Sequence, residues 1–290
     1  MNKILITGSG GFVGSYLYHL LADSGFTVFG VDRSKKNTVD EVFDLASPNK
    51  LVSVLNELQP DTIIHLAAFS DVELCEVNSQ LAFDCNILPV ALISDWAGRT
   101  GARVIFISSD YVFDGTKGEY SEEDIERPIQ NYGMTKLFGE KLVSALPNGV
   151  ILRPTVIYGW DPDGLNFFMQ LFNDQMGKKD KKIPTDQINN PTYVKDLCEL
   201  IKKIIQRPDI SGLFLTTGSE SMSRYEFAER ICEQMGWDKK ILKPTKTEYL
   251  GQIAKRPLNN STDSKKICDL LGYKFDSLEE NLKKIKMLIV

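Results

Sequence analysis

A chain of 290 residues with 42% hydrophobic and 25% charged residues is long enough to bury a sizeable core and has the composition of an ordinary globular protein. Its formal net charge of −5 argues against a general nucleic-acid binder, which would carry a basic surplus. The five cysteines are scattered and form no C-x-x-C pair, so no disulfide framework and no metal site are predicted, and a reducing cytoplasm is expected. No stretch approaches the roughly 20 apolar residues of a membrane span, so no membrane partner is expected.

The first half of the chain alternates apolar strands with amphipathic helices. Strands are predicted at 4–6, 26–32, 61–66 and 103–108. One helix follows the first strand, another begins at Ser47-Pro48 and a third runs from about residue 79 to 98 with a kink near Pro89. Continuous apolar strands separated by helices are typical of a parallel sheet covered on both faces. The predicted fold class is α/β, a Rossmann-type doubly wound parallel sheet with a smaller C-terminal substrate-binding lobe.

The second half of the chain is less regular. A helix containing Tyr132 and Lys136 is predicted after an acidic loop. Later elements are a strand, a charged loop, a helix, a strand and two helices that start with capping boxes, at 150–154, 177–182, 193–206, 212–217, 223–226 and 277–280. Residues 1–155 with 186–220 are expected to form the NAD(P)-binding domain, and residues 156–185 with 221–290 the substrate-binding lobe.

A glycine-rich turn lies between the first strand and the first helix. Gly8, Gly11 and Gly14 recur every third residue there. Glycine has no Cβ, so its backbone can approach a phosphate closely, and the N–H groups at the start of a helix attract anions. Asp32 ends the second strand eighteen positions after Gly14, where a carboxylate can accept hydrogen bonds from an adenosine ribose. The turn therefore predicts a bound dinucleotide, although turns of this kind also occur without a ligand.

The residues after Asp32 leave the choice of cofactor open. The Asp32 carboxylate accepts ribose hydroxyls and repels a 2′-phosphate, which favours NAD. Arg33, Lys35 and Lys36 follow at once and could hold such a phosphate, which favours NADP, or they form a solvated loop. We expect the protein to use both NADP and NAD.

Tyr132 and Lys136 are the strongest candidates for catalysis. Residues four apart on a helix lie on one face, so the lysine ammonium can stabilise a phenolate and lower the phenol pKa toward working pH. A general acid or base needs such a pKa. Ser109 ends a predicted strand, where its hydroxyl could polarise a substrate carbonyl beside the tyrosine. Taken alone, the Tyr/Lys pair is a common surface arrangement.

Together these features resemble the extended short-chain dehydrogenase/reductase superfamily. The stretch at 64–68, Ile-His-Leu-Ala-Ala, is similar to the third-strand motif of nucleotide-sugar epimerases, dehydratases and reductases. The 4,6-dehydratases place a catalytic glutamate at the position held here by Tyr111, which argues against dehydration. The stretch at 109–115, Ser-Asp-Tyr-Val-Phe-Asp-Gly, resembles the dTDP-4-dehydrorhamnose reductase family instead. Further stretches similar to that family lie at 153–159, 186–192 and 256–261.

The resemblance implies reduction of the 4-keto group of a nucleotide-linked 6-deoxysugar. Tyr132 would donate a proton to the oxygen, Lys136 would assist it and bind ribose, and Ser109 would orient the carbonyl. The implied cofactor contacts are Gly8, Gly11, Phe12, Val13, Gly14, Asp32, Arg33, Leu66, Ala67, Ala68, Asn86, Ser108, Tyr132 and Lys136. The implied substrate contacts are Asp110, Tyr111 and Asn190, together with Arg256 at the diphosphate.

Three departures from the family pattern keep alternatives open. Val156 stands where the family often has a tryptophan near the sugar, His65 replaces an asparagine, and Ser109 replaces a commoner threonine. The first leaves the identity of the sugar undecided. A nucleotide-sugar epimerase is one alternative, and a non-catalytic NADP-binding regulatory protein, like the regulatory subunit of methionine adenosyltransferase, is another. A homodimer is also left open.

Overall fold

The computed structural model describes residues 3–289, and its centre is a seven-stranded parallel sheet. The strands of the described chain are β1 (Lys3–Thr7), β2 (Thr27–Asp32), β3 (Glu41–Val42), β4 (Thr62–His65), β5 (Arg103–Ile107), β6 (Val150–Arg153), β7 (Ile157–Tyr158), β8 (Lys181–Pro184), β9 (Ile188–Asn189), β10 (Thr192–Tyr193), β11 (Gly212–Leu215), β12 (Met222–Ser223) and β13 (Leu242–Thr245). The helices are α1 (Phe12–Asp23), α2 (Pro48–Leu58), α3 (Val72–Val77), α4 (Ser79–Asn86), α5 (Leu88–Thr100), α6 (Asn131–Ser144), α7 (Phe167–Met176), α8 (Val194–Ile205), α9 (Arg224–Met235), α10 (Lys265–Leu271) and α11 (Leu278–Ile289).

The central sheet has the strand order β11-β6-β5-β4-β1-β2-β3. All of its pairings are parallel. Ile4 and Ile6 of β1 belong to one buried apolar cluster, whereas Leu5 belongs to another. Successive side chains of a strand point to opposite faces, so both faces of the sheet are buried. The predicted α/β doubly wound fold is confirmed.

The structure corrects the prediction of one helix across 79–98. The chain forms α4, which ends at Asn86, and α5, which begins at Leu88. Pro89 lies in the first turn of α5, where its missing N–H leaves no hydrogen bond unmade. A proline in a helical pattern therefore marks a new helix here rather than a kink.

The second lobe contains small sheets that the sequence did not indicate. Strands β8 and β13 pair in parallel, with Lys181 opposite Leu242. The prediction of a solvated loop at 177–182 is therefore wrong for its last two residues, because pairing with a distant strand outweighs the local preference of a lysine run. The predicted boundaries of the two domains stay a prediction.

The functional part of the sheet is the edge formed by the carboxyl ends of its strands. Parallel strands end together, and ligands of such sheets bind in the crevice beyond these ends. The segments that follow β1, β2, β4 and β5 meet there, and Asn260, from the C-terminal part of the chain, lies on the same side and donates to the Asp110 carbonyl. No helix among residues 3–289 is long and apolar enough to cross a membrane.

Candidate active site

The glycine turn forms a cradle that only glycine can build. Gly8 has a φ of +74°, and a Cβ there would lie 2.8 Å from the backbone nitrogen of Ala67. A Cβ on Gly14 would lie 2.0 Å from the Gly8 carbonyl oxygen. Helix α1 begins directly after Gly11 with no side chain capping its first N–H groups. These free donors and the close backbone fit the pyrophosphate of a dinucleotide.

Asp32 is held in place beside this turn. Its carboxylate accepts hydrogen bonds from the backbone N–H of Gly10 at 3.1 Å and of Ser34 at 3.3 Å. The side chain stays half-buried. Arg33 and Lys36 are exposed, whereas the Lys35 ammonium donates to the Val39 carbonyl. The acidic and the basic candidates for contact with the adenosine ribose thus both lie at the end of β2.

The segment after β4 is organised by two buried polar side chains. Asn86 accepts from the Phe69 N–H at 2.7 Å and donates to the Phe69 carbonyl at 3.1 Å. Thr7 and His65 are joined at 2.8 Å through Oγ1 and Nδ1, and burial lowers the pKa of His65 to about 3, so the imidazole is neutral. Asn86, a predicted cofactor contact, therefore uses its amide to hold the segment that contains Leu66, Ala67 and Ala68.

Lys136 is buried in the second turn of α6. Its ammonium lies 4.3 Å from the centre of the Phe106 ring. Burial lowers the pKa of Lys136 to about 7, and the Glu140 carboxylate one turn later opposes this shift. Transfer of an ammonium from water costs free energy, so the buried group binds its proton weakly. The Lys136 amine can therefore gain or lose its proton near neutral pH.

Tyr132 lies at the mouth of the same site. Its ring packs edge-on against Tyr111, with the ring centres 6.0 Å apart. Burial, followed by the charge of Asp110, raises the pKa of Tyr132, and the nearby Ser109 hydroxyl acts in the opposite direction. The predicted lowering of this pKa is thus wrong for the structure, because burial and the charge of Asp110 outweigh the effect of the Ser109 hydroxyl. The phenol is neutral and can donate a proton.

Asp110 joins the sheet to the second lobe. Its carboxylate accepts hydrogen bonds from the Asn189 amide at 3.1 Å and the Asn260 amide at 3.2 Å. Asn190 donates to the Gly218 carbonyl and accepts from the Thr262 N–H, which occupies both ends of its buried amide. The substrate contact expected of Asn190 stays a prediction. Asp110 and Asn190 hold the two lobes together in this structure.

Two arginines converge near Tyr111. Arg256 donates to Glu73 at 2.6 Å and is mostly buried. Arg224, at the start of α9, stacks on Phe167 at 4.8 Å, and burial lowers its pKa. Asp110, Tyr111 and Arg256 are the charged or titratable groups that act on Arg224, and it makes no ion pair within residues 3–289. The two guanidinium groups have only one direct carboxylate partner between them in the described part of the chain, Glu73, so together they can bind an anion.

Sequence reasoning missed Arg224 although it identified the capping serine that precedes it. An arginine in the first turn of a helix is common on protein surfaces, so the sequence contains no signal for its role. Only the packing of α9 against the short strands β8, β12 and β13 brings it to Tyr111.

A buried ion network lies behind Lys136. Arg153 on β6 donates to both carboxylate oxygens of Glu140, at 2.8 and 2.6 Å, and also to Glu126 at 2.8 Å. The Ser108 hydroxyl donates to the same Glu140. Ser108, a predicted cofactor contact, is therefore engaged within the protein. The network fixes α6, and with it Tyr132 and Lys136, against β6.

Val156 has an unusual backbone conformation. Its φ is +43°, which a β-branched residue rarely adopts. It lies in the chain between β6 and β7. Strain of this kind is concentrated at functional sites.

The fold and this site define an NAD(P)-dependent oxidoreductase of the extended short-chain dehydrogenase/reductase class. More narrowly, the chain belongs to the RmlD substrate binding domain family, whose sequence profile matches residues 1–288.

Similarity to individual proteins extends over almost the whole chain. A dTDP-4-dehydrorhamnose reductase from Aggregatibacter actinomycetemcomitans is 29% identical over 99% of both chains. The methionine adenosyltransferase 2 subunit beta of Xenopus laevis is 32% identical over 91% of this chain and 81% of its own. The crystal structure of dTDP-4-dehydrorhamnose reductase from Bacillus anthracis with NADP has a TM-score of 0.90 at 28% identity and covers 99% of this chain and 100% of its own. MoeE5 with UDP-glucose and NAD has a TM-score of 0.83 at 26% identity and covers 99% of this chain and 98% of its own.

Proposed function

We propose that this protein reduces the 4-keto group of a nucleotide-linked 6-deoxysugar with NADPH or NADH, as a dTDP-4-dehydrorhamnose reductase does. The observation that carries the proposal is the neutral Tyr132 phenol beside Ser109, on the same helix as the buried Lys136. A proton donor, a carbonyl-binding hydroxyl and a cation are the groups that carbonyl reduction requires.

A bound nicotinamide would supply the hydride. Side chains of the protein would orient the carbonyl, donate the proton and stabilise the resulting phenolate. The Ser109 hydroxyl, which donates to Asp110 at 3.2 Å in this structure, would turn to donate a hydrogen bond to the carbonyl oxygen and fix its direction. Tyr132 donates its proton to that oxygen as negative charge develops there. The Lys136 ammonium then stabilises the phenolate through the field of the buried site, where charge interactions are stronger than in water. Lys136 lies one turn after Tyr132 on α6, so the two side chains project from the same face of the helix.

The substrate's diphosphate would lie between Arg224 and Arg256. Both side chains belong to the segment 221–290, which we propose is part of the substrate-binding lobe. Glu73 holds Arg256 at 2.6 Å, so the position of that guanidinium is fixed before an anion arrives. Arg224 stacks on Phe167, which fixes the plane of its guanidinium. Arginine matches the geometry of phosphate oxygens.

Replacing Tyr132 with phenylalanine tests the proposed acid. Tyr132→Phe should lower kcat roughly 10²- to 10⁴-fold, the contribution of a positioned general acid. Binding of NADPH, followed by its fluorescence, should stay within about twofold, because the ring remains. Tyr273→Phe is the control, since that hydroxyl donates to the Asp196 carbonyl, away from this site. Near-normal turnover in Tyr132→Phe would show that another group donates the proton.

A second candidate function is supported by the subunits of methionine adenosyltransferase among the relatives. Such a protein binds a partner and needs no turnover, so loss of the Tyr/Lys/Ser set would be tolerated. The presence of all three favours catalysis. A panel of 4-keto-6-deoxysugar nucleotides assayed by NAD(P)H absorbance separates the readings, because an epimerase consumes no cofactor and a regulatory subunit shows no turnover.

We also propose that the protein forms a homodimer through α3 and α6. These helices pack together and expose Leu74, Val77, Met134 and Phe138, each with more than a third of its surface open. Spacings of three and four residues place each pair on one helix face. Grouped exposed apolar residues mark interaction surfaces. Light scattering after gel filtration measures the mass, and a monomer would exclude the proposal.

A cytoplasmic location is proposed from the cysteines. All five are free, and three of them are buried. Free buried thiols are compatible with a reducing compartment. Cell fractionation with an antibody against the chain tests the location.

A further inference from the structure

The ring of Phe106 packs against helix α6. Phe106 is fully buried on β5, where it pairs with His65 of the neighbouring strand β4. A Cβ on Gly139 of α6 would lie 2.6 Å from the Cζ atom of the Phe106 ring, so the absence of a Cβ allows this close approach. Lys136 precedes Gly139 by three residues and therefore lies on the same face of α6. Its ammonium lies over the Phe106 ring, 4.3 Å from the ring centre.

The orientation of this ring is fixed from the side of β4. The His65 imidazole stacks on Phe106, with 16° between the ring planes and 5.9 Å between their centres. His65 is itself held by the Thr7 hydroxyl at 2.8 Å, and burial lowers its pKa to about 3, so the imidazole is neutral. An uncharged neighbour leaves the negative face of the ring available to the Lys136 ammonium.

The Lys136 ammonium has no carboxylate in direct contact among residues 3–289. The carboxylate that acts on its pKa is Glu140, and both oxygens of Glu140 are occupied by Arg153, at 2.8 and 2.6 Å. Tyr132 and Cys75 are uncharged at neutral pH, because burial raises the pKa of each. Other charged groups on the elements packed against α6 have partners of their own: Glu76 on α3, Asp84 on α4, Arg99 on α5, Arg103 on β5 and Asp110 after it.

We propose that Phe106 is a positioning residue that holds the Lys136 ammonium over its ring face and thereby favours the charged form of this buried amine. The face of an aromatic ring has a negative potential and attracts a cation, most strongly where water is excluded. This attraction opposes the burial that lowers the pKa of Lys136 to about 7. An amine kept charged and in place can stabilise the Tyr132 phenolate. The contact can be tested without turnover, and only its effect on kcat rests on the proposed carbonyl reduction.

Titration of the protein without cofactor, followed by NMR, tests the contact. With carbon-13 at the ε carbon of lysine, the Lys136 resonance is identified by its loss in Lys136→Met, and its change with pH gives the pKa. Replacing Phe106 by 3,5-difluorophenylalanine nearly keeps the shape of the ring and withdraws electron density from its face. The pKa of Lys136 should then fall by roughly 0.5 to 1 pH unit, which is a three- to tenfold weaker binding of the proton.

The control is 3,5-difluorophenylalanine in place of Phe168, a ring that is also fully buried but packs against Trp237. It should leave the pKa of Lys136 unchanged. With a keto-sugar nucleotide as substrate, the decline of kcat at high pH should move to lower pH in the Phe106 variant, whereas a merely structural role would lower kcat equally at every pH.

An unchanged pKa of Lys136 in the Phe106 variant, or an equal fall in the Phe168 control, would overturn the proposal. If the pKa falls as expected but the unchanged protein reduces no keto-sugar nucleotide, the contact is supported and the proposed reaction is refuted instead.

Discussion

At the scale of single residues, Lys136 shows a conflict between stability and function. Its ammonium is buried against Phe106 and has a pKa of about 7. In the unfolded chain the pKa is near the ordinary value of about 10.4. A base whose pKa is lowered on folding destabilises the folded state at every pH below its unfolded pKa. This loss of stability is full below about pH 7 and decreases as the pH rises from 7 to 10.4. Over that range the lysine is mostly deprotonated in the folded state, and it gradually loses its proton in the unfolded chain as well.

Lys136→Met should therefore stabilise the protein without cofactor. Removing the buried charge should raise the free energy of unfolding at pH 6.5 by on the order of a few kcal/mol and raise Tm by several degrees. The gain should decrease between about pH 7 and 10, which differential scanning calorimetry can follow. Turnover should fall about 10²-fold or more, because the phenolate loses its cation. A Tm gain independent of pH would point to improved packing rather than removal of a charge.

Arg224 is the second residue with a role that can be tested alone. Arg224→Met should raise KM for a nucleotide sugar roughly 10- to 100-fold, the value of a hydrogen bond between charged groups, with a smaller change in kcat. Arg207→Met is a matched control, since Arg207 is exposed and pairs with Asp209 at 2.6 Å. Steady-state kinetics over a range of sugar concentration give both constants. A change confined to kcat would place Arg224 outside the diphosphate site.

At the scale of elements, the position of α6 depends on its buried contact with β6. Arg153 is fully buried and lies between Glu126 and Glu140. Removing one partner of such a group leaves an uncompensated buried charge, whereas replacing the pair by apolar residues is often nearly neutral. The helix that contains Tyr132 and Lys136 is thus attached to β6 by an ion pair, and removing only one member of that pair should destabilise the protein.

Glu140→Gln should lower the free energy of unfolding by about 3–5 kcal/mol. The double variant Glu140→Leu/Arg153→Met should be less destabilised than Glu140→Gln, because no buried charge is left without its partner. Urea denaturation measures both differences. Glu233→Gln, on the exposed face of α9, should stay within about 0.5 kcal/mol and serves as the control. A double variant that is less stable than Glu140→Gln would contradict the network.

At the scale of the whole molecule, Asp110 connects the catalytic edge of the sheet to the second lobe. Three donors converge on its carboxylate, from Ser109, Asn189 and Asn260. The residue next to Ser109 therefore also links the end of β5 to the segments that contain Asn189 and Asn260.

Asp110→Asn should loosen this joint. An amide has one acceptor oxygen in place of two, so either its N–H groups meet a donating amide of Asn189 or Asn260, or the Ser109 hydroxyl must turn from donor to acceptor. The free energy of unfolding should fall by about 1–3 kcal/mol. KM for the sugar should rise, whereas NADPH binding should be retained. Urea denaturation and kinetics test this, with Asp95→Asn on the exposed face of α5 as the control. If Asp110→Asn were as stable as the unchanged protein, the hydrogen bonds of Asp110 would not contribute to stability.

The sequence by itself determined the sheet, the glycine turn and the Tyr/Lys pair. These depend on short-range patterns: apolar runs that alternate with helices, glycines where a Cβ would collide, and residues four apart on a helix. Gly8, Gly14 and the helix around Tyr132 could be identified because each signal lies within about one element.

Only the tertiary structure decided the charges and the contacts between lobes. Asn190 and Asp110 are used to join distant segments, Arg224 comes to Tyr111 from another lobe, and Lys181 pairs with a strand 61 positions away. The pKa of Tyr132 is raised rather than lowered because it depends on burial. Burial and long-range pairing are properties of the assembled chain, so no local pattern contains them.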